Sequence, residues 1–145
     1  MKKSSFALLL LCFLPLCCFA QSIEGMWRTI DDRNGKPKAE VQLYMENGLL
    51  FAKIIKILEK GKEDARCIKC KGDLKDKPVL GMKIIDGFKG DGKGVFKGKR
   101  LFDPEQGMTF RGKVWLDPDD SDKLKVRGYL AFLYRTQTWL RVEEQ

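Results

Sequence analysis

The chain has 145 residues, one domain's worth, with 28 Lys and Arg against 20 Asp and Glu and no histidine. Without an imidazole there is no His general base, no Ser-His or Cys-His nucleophile pair and no His-containing zinc or haem site. That excludes a large share of enzyme chemistry and leaves mostly binding.

Lys2 and Lys3 precede an apolar run from Phe6 to Phe19 that ends in Cys18-Phe19-Ala20. This reads as a secretory signal peptide over residues 1–20, cleaved after Ala20, so the expected protein is exported, periplasmic or secreted. The run is short for a bilayer span and no second candidate follows, so an integral membrane protein is not expected. Cys17 and Cys18 are preceded by a bulky residue and by another Cys, not by the small residue that a lipoprotein anchor needs. Cleavage removes Cys12, Cys17, Cys18 and two lysines, which leaves Cys67 and Cys70, and 26 basic against 20 acidic residues, a net charge of +6. Residues 21–145 then form a single domain that can bury about two thirds of the surface its unfolded chain exposes.

Turn signals punctuate this domain every eight to twelve residues, and the runs between them alternate apolar and polar as short antiparallel strands do. The expected strands are 25–31, 38–46, 49–58, 79–88, 94–101, 108–116, 123–134 and 136–142. Asn47-Gly48 separates the second and third, a hairpin signal because both central residues of a type I′ turn need positive φ. Eight strands with short links escape the open-edge problem by closing on themselves, so the expected fold is all-β, a single antiparallel up-and-down barrel. Met108, Phe110, Val114 and Leu116 share one face of their strand, as do Leu124, Val126, Leu130, Phe132 and Tyr134 of theirs. Gly112 and Gly128 fall on these apolar faces, where they permit a sharp bend or leave room for something else.

Gly25-Met26-Trp27 opens the first strand and Trp139-Leu140-Arg141 lies in the last. This resembles the lipocalin arrangement, in which a G-x-W indole packs across the closed end of the barrel against an Arg of the final strand. The resemblance makes Trp27 and Arg141 the barrel-closing pair. A fuller set comprises Trp27 to Asp32, Asn34-Gly35-Lys36, Cys67-x-x-Cys70, Asp103-Pro104-Glu105-x-Gly107, Lys125 to Tyr129 and Thr136-Gln137-Thr138-Trp139-x-Arg141. Together these resemble an uncharacterised family of small exported Gram-negative bacterial proteins with a lipocalin-like barrel, a domain of unknown function. The resemblance covers about Gly25 to Arg141 and implies a fold and an export route, with no established activity. The T-D-Y turn of true lipocalins and a helix after the last strand have no counterpart.

Cys67-Ile68-Lys69-Cys70 in an oxidising compartment points to a disulfide stapling the long loop between two strands. A thioredoxin-like site would need a βαβ context, and zinc would need two further ligands, so no metal and no cofactor are expected. Charge is uneven: Lys53 to Arg100 holds 15 basic and 7 acidic residues. Such a collar could hold an anionic headgroup, an acidic glycan or an anionic membrane surface, or simply keep the protein soluble. Nucleic acid is not expected, because aromatics are not interleaved with the basic residues. The glycines at 90, 92 and 94 read as a flexible hairpin and not as a phosphate loop. Asp31, Asp32, Asp103 and Glu105 could pair for glycan hydrolysis, yet all sit in turn sequences that favour such residues.

In a small barrel the interior is either filled by side chains or left as one ligand cavity, and sequence does not separate the two. The expected function is a non-catalytic binding protein holding a small apolar or amphipathic ligand, with the basic rim selecting an acidic headgroup. Leu43, Met45, Met82, Ile84, Phe110, Leu130 and Phe132 are the candidate cavity lining, with Tyr134 and Arg28 as polar groups at the mouth. The alternative is an interaction module docking on an envelope protein or a glycan through its basic loops, Lys69 and Lys71 among them. A homodimer is left open.

Overall fold

The computed structural model describes residues 21–143; the expected signal peptide lies outside them. Eight antiparallel strands run in chain order: β1 (Gly25–Ile30), β2 (Pro37–Glu46), β3 (Leu49–Ile57), β4 (Lys83–Gly90), β5 (Phe96–Asp103), β6 (Met108–Asp117), β7 (Asp120–Leu130) and β8 (Leu133–Arg141). Each pairs with the next and β8 pairs back on β1, so the sheet is a closed up-and-down barrel. Asn47 and Gly48 form the β2–β3 turn with φ of 50° and 76°, the pair of left-handed residues that a type I′ hairpin requires. No helix among the described residues is long and apolar enough to cross a membrane.

Two expected boundaries are corrected. The fourth strand begins at Lys83, not 79, because Val79 to Met82 are held in turns, with the Gly81 amide bonded to the Ile54 carbonyl. The seventh ends at Leu130 and the eighth begins at Leu133. The reversal lies at Ala131-Phe132, which carries no Gly, Pro, Asn or Asp to announce it. Ala131 itself takes the left-handed conformation, φ 52°.

One end of the barrel is packed solid. Trp27, Leu43, Leu50, Phe88, Val114 and Leu124 are fully buried there. Trp27 Nε1 donates to the Ile23 carbonyl at 3.0 Å, which satisfies the one polar group of an otherwise dry indole. Arg141 lies over the indole face, 4.2 Å from its centroid. Its Nη2 donates to the carbonyls of Ser22 (3.0 Å) and Ser121 (3.1 Å), and its Nε lies 3.3 Å from Asp122. The guanidinium therefore ties the N-terminal segment, the β6–β7 turn region and β8 around one tryptophan. Gly25, at φ 124°, turns the chain into β1 beside Arg141 in a conformation that side chains resist.

The glycines of the inner face form a row. Gly98 pairs with Gly112 and Gly112 with Gly128 across β5, β6 and β7. The space a Cβ would take at Gly98 is filled by the Phe88 ring, and at Gly112 by Leu101 Cδ2. These two glycines let large side chains cross the barrel where the sheet bends. Gly128 differs, for its face opens on a cavity.

Arg141→Ala should lower the unfolding free energy by about 2 kcal/mol, from the lost cation–π contact and charged hydrogen bonds. Urea denaturation checks this. Arg141→Lys should recover less than half of the loss, because an ammonium cannot span both carbonyls while covering the indole.

Candidate functional site

The other end of the barrel is hollow. A cavity of about 920 Å³ opens there, within the range that small-molecule sites occupy. Its position follows from strand direction: the β1–β2 turn, the β3–β4 loop, the β5–β6 turn and the β7–β8 turn all meet at this end, and their residues form the mouth. The floor and walls are apolar, with Val41, Ile54, Ile84, Leu101, Phe110 and Val126 below and Trp139 from β8. Two polar groups interrupt this lining. Gln137 sits between Trp139 and the mouth, its carbonyl accepting from Trp139 Nε1 at 3.3 Å, and Arg135 lies one inward step higher.

The long β3–β4 loop half-covers the mouth. The Cys67–Cys70 disulfide, with Cα atoms 5.3 Å apart, closes it internally, and Arg66 bridges to Pro78. Cys67 and Cys70 are buried against Met82, Val79 and Phe102. The β5–β6 turn docks on this loop because Gly107 has no side chain: its Cβ position is taken by the Lys69 carbonyl, and its φ of 63° is left-handed. Lys38 on β2 reaches over to Glu105 in that turn at 2.5 Å, so loop, turn and β2 are fastened together on one side.

Ion pairs line the rim. Asp31, the one buried carboxylate among the described residues, accepts from the Arg33 backbone amide and Nε at 2.9 Å and from Nη2 at 2.7 Å. That fork holds its carboxyl well below the usual range. Asp32 accepts from Arg135 Nε at 2.7 Å and is likewise lowered, first by that hydrogen bond. Lys62 pairs with Glu59 at 3.0 Å. Arg66 and Lys69 have no carboxylate partner among the described residues, so the rim keeps cations to spare.

Of the residues singled out from sequence, Ile84, Phe110 and Leu130 line the cavity and Tyr134 stands on its rim. Five lie elsewhere. Leu43 is packed in the closed end and Met45 against it, because the outer half of β2 runs away from the mouth. Met82 packs outside the lumen on the disulfide and Phe102. Arg28 follows the inward Trp27, so strand alternation turns it outward, where it pairs with Glu40 at 2.9 Å. Phe132 is 89% exposed at the tip of the β7–β8 turn, because that reversal ends the alternation counted through it. Of the carboxylates considered for hydrolysis, Asp103 accepts from the Glu105 backbone amide (2.9 Å) and Gln106 Nε2 (2.7 Å), and Glu105 is held by Lys38. Arg135 and Gln137 were not among the residues singled out for the site, although counting back by twos from Trp139 puts both on the inner face.

The closed eight-strand barrel with one sealed and one open end is lipocalin-like. Protein HP1028 from the human pathogen Helicobacter pylori, described as belonging to the lipocalin family, superposes with a TM-score of 0.71 at 18% identity, over 85% of this chain and 84% of that one. No curated protein matches the sequence. The chain belongs to the family described as "Uncharacterized protein conserved in bacteria (DUF2147)", whose model matches residues 25–141.

The rim carboxylates give a signed pH dependence. Because Asp31 and Asp32 titrate lower folded than unfolded, their stabilisation is complete well above the unfolded value of about 3.9, declines as pH falls below that value, and is gone once pH has passed below the folded values. Thermal melts followed by circular dichroism should decline below about pH 4 in the native chain. The Asp31→Asn/Asp32→Asn protein should melt lower at neutral pH and show a flatter acid limb.

Proposed function

We propose that this protein is an exported, non-catalytic carrier of a small amphipathic molecule, whose hydrocarbon sits in the barrel and whose acidic head stays at the mouth. The observation that carries the reading is the cavity of about 920 Å³, apolar below and charged above, in a barrel sealed at its other end. Burying a hydrocarbon tail contributes roughly 25 cal/mol per Å² of apolar surface, which favours a ligand with a chain or ring system over a wholly polar one. Ile84, Phe110, Leu130 and Val126 supply that surface. Arg135, already paired with Asp32, and the uncompensated Lys69 and Arg66 supply the polarity for an anionic head. The side-chain amide of Gln137 offers a donor midway down the wall.

Gly128→Leu tests this directly, because its side chain would enter the cavity from a backbone of ordinary φ, and a Cβ there meets nothing nearer than Leu101 Cδ2 at 3.4 Å. An anionic apolar fluorophore such as anilinonaphthalene sulfonate should light up on the native protein, and lipid extraction of the purified chain should yield a bound amphiphile. The variant should lose at least about tenfold in probe affinity while keeping its fold. Equal probe binding by the two proteins would overturn the reading.

A further inference from the structure

Exposed apolar side chains are not spread evenly over this barrel. Of the ten large ones among the described residues, eight are at the mouth end: four on the β7–β8 reversal, three in the β3–β4 loop, and Met108. Phe132 at the tip is 89% exposed, and Leu130, Leu133, Tyr134 and Ile68 are each more than half exposed. A soluble protein gains nothing from such a cluster, and large exposed apolar patches mark surfaces that meet something. Nor does the turn itself call for these residues. A two-residue hairpin is best made from Asn and Gly, as at Asn47-Gly48, yet here Ala131 takes the left-handed position and Phe132 follows it.

The charges around the tip identify what it meets. Arg66, Lys69, Arg111 and Arg127 have no carboxylate partner among the described residues. Arg127 lies instead over the Tyr134 ring, 4.3 Å from its centroid, with its Nε bonded to Thr136. The reversal thus presents an aromatic and aliphatic point with free cations set behind it. That is the pattern of an interfacial anchor, in which apolar groups enter the acyl boundary and basic groups lie among anionic headgroups. Continuity points the same way, because Ile68, Leu130 and Leu133 also line the cavity mouth, so the exposed surface and the lumen form one apolar path.

We infer that the mouth end of the barrel docks on an anionic phospholipid bilayer through the Leu130–Tyr134 reversal and the Ile68–Lys69 lip, with the open side of the cavity facing the membrane. The docking rests on exposed surface and does not need the cavity to be occupied. It gives the fold an orientation, with the sealed Trp27 end pointing away from the lipid.

The test is co-sedimentation of the purified protein with vesicles of phosphatidylcholine alone or with about one third phosphatidylglycerol, at low and at raised salt. The native protein should partition at least about tenfold more strongly onto the anionic vesicles, and salt should remove most of that preference. Phe132→Ser should lose about tenfold in partitioning, and Phe132→Trp should retain or exceed native binding. Lys69→Glu should weaken binding to anionic vesicles only. Phe132 does not line the cavity, so Phe132→Ser should leave fluorophore uptake unchanged, while Gly128→Leu should weaken uptake by the same roughly tenfold or more and leave vesicle binding intact. Vesicle binding that is indifferent to Phe132→Ser and Phe132→Trp overturns the inference. So does a native dimer that Phe132→Ser converts to monomer, because the tip would then be covered by a second copy of this chain.

Discussion

The structure depends on how its sheet closes. β1 and β8 share only the register pairs Trp27 with Arg141 and Arg28 with Leu140, a short seam for a barrel of eight strands. What secures it is the guanidinium of Arg141 over the buried Trp27 indole, hydrogen-bonded to chain on both sides of the seam. A barrel without this seal would keep a paired meander but expose two strand edges and a hydrophobic end to water. Because the seal fills one end completely, the rest of the interior is free to be a cavity with a single mouth.

The two ends are built by different means. At the sealed end large side chains interdigitate, and Gly98 leaves its space to the Phe88 ring, while midway along the barrel Gly112 leaves its space to Leu101 of the cavity wall. At the mouth the same inner face carries Gly128, Gln137 and Arg135, residues too small or too polar to pack a dry core. The first end supplies most of the dry packing and the second holds the open cavity. The mouth is held in shape mostly by ion pairs and by a loop stapled through Cys67 and Cys70, contacts that water and pH reach more readily than the core.

Much of this was legible from the chain. Alternation along β6 and β7 gave the dry face, Asn47-Gly48 gave a hairpin, and the Trp27 and Arg141 pairing with the Cys67–Cys70 bridge appears as read. The site was legible in part, and its errors have separate causes. Period-two counting is reliable within a strand but fails across an unannounced turn, which put Phe132 inside when it stands in solvent. The same counting was not applied to Arg28 beside Trp27, nor carried backwards from Trp139 to Gln137 and Arg135, where it would have succeeded. Leu43 and Met45 were placed on the correct face but at the wrong end, because alternation reports which side of a sheet a residue faces and says nothing of its height along the barrel axis.

The sequence by itself determined the strand count, the closure and the exclusion of histidine chemistry, since each follows from residue type and short-range spacing, while the sealing pair of Trp27 and Arg141 came from the resemblance to lipocalins. Tertiary structure decided whether the barrel was hollow, which end was open, and which charges met at the rim. Those outcomes depend on residues far apart in the chain: Asp32 finds Arg135, Lys38 finds Glu105, and the Lys69 carbonyl finds Gly107 only once the strands have closed into a ring. A void is the difference between enclosed volume and the side chains that fill it, and that difference has no local signature in sequence.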